Sequence, residues 1–319
     1  MSRRLVLTLA LIGWAALLLA PAPARAACQT ANSSASFADS SSYTVQANGV
    51  AQVSTSAGFS CSGSVITLGG TSSARATITS ANGWKLAAGA DRIPYVVSAD
   101  PNGTYSFARY GTINYFDPTM LSLLTILTGG SFTPRIYLTV NGNANVAAGS
   151  YTDVLTVQWS WTICHGVDLN NACILSESGT GTSTIPVTIN VGKDCQISAP
   201  PVAFGSASLL SQFAEVTQSV LVDCSKGTSF NVAFTSGSAP SARPWRTMKD
   251  GAGRVLQYNL YRSDGATIWD ESNPQAAATP GTGAVSPAQP FTYKARINPA
   301  QAAPMAGTYS DTVSVVVTF

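Results

Sequence analysis

The chain has 319 residues, of which 10% are charged and 45% hydrophobic, and its formal net charge is +2. This excludes a solvated, disordered polymer and supplies enough apolar side chains for ordinary cores. Three of the cations, Arg3, Arg4 and Arg25, lie in a segment read below as removable. Without them the chain is close to neutral, so no nucleic-acid partner held by charge is expected. His165 is the single histidine, and no G-x-S-x-G, paired-histidine or carboxylate motif occurs. Neither catalysis, nor a metal site, nor a cofactor is expected from this material.

Arg3 and Arg4 precede an apolar run from Leu5 to Ala20, which Pro21 and Pro23 interrupt before Ala24-Arg25-Ala26. A basic start, an apolar stretch of about 16 residues and an A-x-A site read as a cleaved export signal over residues 1–26, too short for a membrane span. Cys28, Cys61, Cys164, Cys173, Cys195 and Cys224 then form an even set, which in an exported chain predicts disulfides.

Beyond the signal the chain is punctuated by Gly, Ser, Asn and Pro into short apolar runs. Strands are expected at Val50–Phe59, Ser64–Leu68, Ala74–Ile78 and Arg135–Val140. No segment shows a convincing helical period. Leu155, Val157, Trp159 and Trp161 alternate with Thr156, Gln158 and Ser160, the period of a strand with one face on a core. After Cys164 and Cys173, which read as a clamp across a hairpin, Ile185, Val187, Ile189 and Val191 share the apolar face of one more strand. Further strands are expected at Val216–Val222, Ser229–Phe234, Leu256–Tyr261 and Tyr293–Ile297.

The chain repeats itself. Ala148-Gly149-Ser150-Tyr151-Thr152-Asp153 recurs as Ala306-Gly307-Thr308-Tyr309-Ser310-Asp311, each followed by an alternating strand. In the second copy that strand carries Val313, Val315, Val317 and Phe319. A cysteine pair precedes each motif at similar spacing, which predicts Cys28–Cys61 and Cys195–Cys224 and leaves Cys164–Cys173 for the clamp. Two all-β sandwich domains follow, over 27–191 and 192–319, joined at Val191-Gly192-Lys193-Asp194.

The copies end differently. The first continues into the strand ending at Val191; the second reaches Phe319, at the position of Trp161, without a counterpart. A sandwich lacking a strand exposes an apolar groove and an unpaired edge. A strand from another chain repairs it by addition; the plain alternative is a domain that closes without it.

These residues identify a resemblance. Cys195, Phe204-Gly205, Val222-Asp223-Cys224, Tyr258-Asn259-Leu260-Tyr261, Trp269, Ala306–Asp311 and the ending Val315–Phe319 resemble the spore coat protein U domain family, the secreted pilins of archaic chaperone–usher fibres. The first copy departs from the pattern, with Phe37-Ala38 and Pro94-Tyr95-Val96-Val97 at two of those places. The resemblance implies two tandem immunoglobulin-like sandwiches, the second incomplete. It also implies a periplasmic chaperone, an outer-membrane usher and a neighbouring pilin that donates a strand. Cys28 falls at the start of the expected mature chain, leaving no donor segment before it. An acceptor without a donor caps the fibre, so the expectation is a tip subunit at the cell surface, with a binding domain outward and a pilin domain inward.

For binding an abiotic or host surface, the apolar stretch Asp117–Gly130 stands out: Met120, Leu121, Leu123, Leu124, Ile126 and Leu127 are candidates for an exposed finger, the alternative being a buried strand or short helix over the core. Trp84 and Val146, beside Asn-Gly turns, are weaker loop-tip candidates. Trp159 and Trp161 read as packing and His165 as a loop residue. The rival function is a structural pilin or coat-like matrix protein that polymerises without adhesion.

Overall fold

The computed structural model describes residues 27–62, 72–123, 127–128, 131–164, 168–169, 172–173, 176–284 and 289–319. In the first domain the strands are β1 (Ala27–Thr30), β2 (Ala35–Ser36), β3 (Ser40–Ser41), β4 (Val50–Ser56), β5 (Phe59–Ser62), β6 (Ser73–Ser80), β7 (Lys85–Ala88) and β8 (Asp91–Ser98). They continue with β9 (Thr112–Asn114), β10 (Leu127–Thr128), β11 (Ser131–Phe132), β12 (Arg135–Val140), β13 (Gly149–Cys164), β14 (Asp168–Leu169), β15 (Ala172–Cys173) and β16 (Ser176–Gly192). The second domain holds β17 (Cys195–Ser198), β18 (Val216–Cys224), β19 (Asn231–Phe234), β20 (Arg246–Lys249), β21 (Val255–Arg262), β22 (Gln275–Ala276), β23 (Gln289–Ile297) and β24 (Val315–Thr318).

Period-2 patterning produces the long central hairpin. Along β13 the odd positions Leu155, Val157, Trp159 and Ile163 are buried, and along β16 so are Ile185, Val187, Ile189 and Val191. The two strands pair antiparallel over their whole length, Gly149 with Val191 through Cys164 with Ser176. Their inward side chains enter one core with Phe59, Leu86, Ile93, Tyr115, Ile136 and Leu138. A separate core in the second domain gathers on Trp269, Phe234, Phe291 and Tyr293. The fold is therefore two tandem all-β units, each with its own interior.

Three disulfides close, Cys28–Cys61, Cys164–Cys173 and Cys195–Cys224, the pairs expected from the repeat. The run Val50–Phe59 is two strands rather than one. Gly58 breaks it with φ +76°, a backbone state costly for other residues, and packs directly on Ser183. The expected strand Ser64–Leu68 and His165 lie outside the described residues.

Helical turns at Ser42–Ala47, Phe107–Tyr110 and Pro118–Leu123 correct the reading that no segment is helical. They are too short to show a period, but two of them carry a cap residue in the sequence. The Ser41 hydroxyl accepts from the Thr44 amide, Asp117 accepts from the Thr119 amide, and Pro118 takes the first helical position.

Two residues separate β16 from β17, and the domains touch there. The Ser42 and Ser225 hydroxyls lie 2.6 Å apart, both buried. Tyr43 donates to Asp223, Asn145 donates to the Thr282 carbonyl, and Lys226 pairs with Asp91 at 2.5 Å.

Candidate functional site

The same layout is built twice, and among the described residues only in the first domain is the strand after the repeated motif paired on both edges. In the first domain β13 has β6 on one edge and β16 on the other, and β16 runs parallel to β2 and β3 on its far side. In the second domain β24 pairs with β19 as β13 does with β6, and β22 lies beyond β19 as β9 lies beyond β6. On the remaining edge of β24 no strand pairs among the described residues. A cavity of about 700 Å³ opens there, between Thr312, Val313 and Val315 on one side and the segment Ala199–Ser206 on the other. Its walls include Val202, Phe204, Val220, Phe234 and Leu260, the kind of surface that β16 covers in the first domain. Ile197, at the position of Thr30, is 44% exposed.

The expected terminal-strand face is here. Val313, Val315 and Val317 are half-buried against the second core, while Phe319 is 55% exposed just past the end of β24. Lys193 Nζ lies 5.5 Å from its ring.

A polar cluster borders the groove. Tyr258 donates to Asp311 Oδ2 at 2.7 Å, and Asp311 Oδ1 accepts from the Ser238 amide and hydroxyl and the Thr312 amide. Burial, then the Asp311 hydrogen bond, pushes the Tyr258 phenol well above its ordinary range. The first domain repeats the arrangement under β16: Asp153 accepts from Tyr95, Ser80, Asn82 and Val154. Tyr151 and Tyr309 each donate to a carbonyl four residues back. The repeated Ala-Gly-Ser/Thr-Tyr-Ser/Thr-Asp motif thus marks a tyrosine that braces its own turn and an aspartate that collects donors, roles that spacing alone did not reveal.

The candidate finger divides. Met120 is a correction: it is 1% exposed and belongs to the first core, because the turn begun at Pro118 points it inward. The backbone of Leu121 and Leu123 continues that turn, and Leu127 pairs with Phe132; the side chains of Leu121, Leu123, Leu124, Ile126 and Leu127 lie outside the described residues. Val146 is also a correction, buried in the same core, and Trp84 is half-buried against it. Trp159 and Trp161 pack on Phe59, at 4.7 and 5.0 Å between ring centroids. The described ends of the segments 62–72, 128–131 and 164–176 meet at one pole: Ser62 pairs with Ser131, and the Cys164 amide donates to Ser72. The domain junction is at the other end of β13, where Ala147 bridges to Lys226.

Comparison with known proteins follows the same lines. The family model described as Spore Coat Protein U domain matches residues 14–158 and 181–316. No curated protein matches the chain by sequence. Among solved structures, a chain of the CsuC–CsuE chaperone–tip adhesion subunit pre-assembly complex, from archaic chaperone-usher Csu pili of Acinetobacter baumannii, superposes with TM-score 0.62 at 20% identity, covering 92% of this chain and 100% of that one. The CupB6 tip adhesin from Pseudomonas aeruginosa aligns with TM-score 0.31 at 12% identity, over 92% of this chain and 94% of that one.

Proposed function

The chain belongs to the Spore Coat Protein U domain family, and we propose that it is the two-domain tip subunit of a chaperone–usher pilus. Residues 1–26 direct export, the domain over 27–191 binds a surface and promotes attachment or biofilm formation, and the domain over 192–319 accepts a strand from the neighbouring pilin. A periplasmic chaperone holds the open groove until an outer-membrane usher delivers the subunit to the fibre and the cell surface.

One observation carries this reading. β16 completes the first domain, while the matching edge of β24 borders an open cavity of about 700 Å³ whose floor includes Val220, Phe234 and Leu260. Such an edge is a template for strand addition. The end position draws support from the likeness in fold to a chain of a chaperone–tip adhesion subunit pre-assembly complex. The adhesive pole is the end of the first domain remote from the junction, and the apolar residues Leu121–Leu127 are its leading candidates.

The test is reconstitution in a pilus-free host with the chaperone, usher and pilins of a chaperone–usher system from the same organism. Immunogold label on this subunit is expected at fibre ends, with surface attachment lost on its deletion. Label along the whole shaft would instead make it a structural pilin.

A further inference from the structure

Resting on the donor-strand reading, we infer that the strand this groove accepts carries a bulky apolar side chain opposite Val315, where the first domain's own β16 carries Ser183. The repeated motif sets Val315 at the place of Val157, and Val157 faces Ser183 across the β13–β16 pair. Ser183 is small and polar for a local reason. It is 1% exposed and donates to the Ala57 carbonyl, which also receives the Trp159 indole N–H at 3.1 Å. The break at Gly58 presses backbone against it, so that even a Cβ on Gly58 would overlap the Ser183 hydroxyl.

None of this crowding exists in the second domain. Counting back from the equivalent Cys61 and Cys224, Ala57-Gly58-Phe59 becomes Val220-Leu221-Val222, and Trp159 becomes Val317. β18 runs unbroken through this point and pairs Val220 with Phe291. Val220, Phe234 and Val315 instead line the cavity. A hydroxyl placed there meets apolar walls, which disfavour it, whereas a leucine or isoleucine fills space and removes apolar surface from water. The fitting strand runs antiparallel to β24, repeats the inward positions of Ile185, Val187 and Ile189 opposite Val313, Asp311 and Tyr309, and adds a fourth opposite Val315. The chain's own β16 is accordingly a mismatched occupant, which disfavours exchange of that strand between copies.

The test extends the full chain past Phe319 with a short glycine-rich turn and a copy of residues 179–192, in three forms: unchanged, with Ser183→Leu, and scrambled. The Ser183→Leu copy is expected to raise the melting temperature of the C-terminal domain at least about 5 °C above the unchanged copy. Placed in β16 itself, Ser183→Leu should lower the melting temperature of the N-terminal domain. Equal or better stabilisation by the unchanged copy overturns the inference while leaving the strand-accepting groove intact. Stabilisation by neither copy beyond the scrambled one overturns the groove reading itself. A wild-type melt for Ser183→Leu in β16 overturns the argument from crowding.

Discussion

Tyr258 donates a hydrogen bond from its phenol to Asp311 over 2.7 Å in the wall of an open groove, and Tyr95 does the same to Asp153 over 2.6 Å in the domain where β16 pairs beside the equivalent strand. The pair is a shared brace of the two domains, which differ in what lies over it. Tyr258→Phe leaves Asp311 its three remaining donors and should cost about 1–2 kcal/mol of C-terminal stability. Asp153→Ala strands four donors at once, the buried Tyr95 hydroxyl among them, and should cost the N-terminal domain about 3 kcal/mol, as read by denaturant melts.

Alkaline pH should act through the same phenols. Burial first, and for Tyr95 and Tyr258 the bonded carboxylate next, hold Tyr95, Tyr115 and Tyr258 above the ordinary tyrosine range. Their folded pKa is raised, so their contribution is complete below about pH 10 and is lost as pH rises beyond it, where the unfolded chain releases protons that the folded chain retains. Tyrosinate absorbance should therefore lag that of free tyrosine and then jump with unfolding. A smooth rise to the full amplitude of all eleven tyrosines near pH 10 with folded structure intact would contradict this.

Domain fragments should behave unequally. Residues 27–192 retain β16 and should melt cooperatively alone, whereas 193–319 should stay soluble only with chaperone or an added donor strand. Cooperative, peptide-independent melting of the second fragment is the outcome that removes the incomplete-domain account.

Disulfide mapping of the oxidised protein should recover Cys28–Cys61, Cys164–Cys173 and Cys195–Cys224. Replacing either early pair with serines should cost its domain about 3–4 kcal/mol, through the long loop each closes.

Adhesion and packing should separate within one short segment. Met120→Ser is expected to destabilise the first domain by about 2–4 kcal/mol, since its side chain is buried in the core. Leu123→Ser, Leu124→Ser and Ile126→Ser together should abolish attachment with little change in melting temperature. A large loss of stability from the triple variant would assign those residues to packing instead.

Much of this was legible in the primary structure. Period-2 alternation in Leu155–Trp161 and Ile185–Val191 determines two faces whatever the surroundings, and the duplicated motif and cysteine pairs determine two domains and their staples. The extra strand of the first copy can be read by aligning the chain with itself. Tertiary structure decided what no local pattern encodes. Met120 points inward because a helical turn begun by Asp117 and Pro118 rotates it there, so hydrophobicity alone could not say whether it faced water or core. Tyr95 meets Asp153, and Tyr43 meets Asp223, across separations that only the folded chain closes. The groove itself is a property of registers: its walls come from segments far apart in the chain, and their spacing exists only once β18, β21, β23 and β24 are in place.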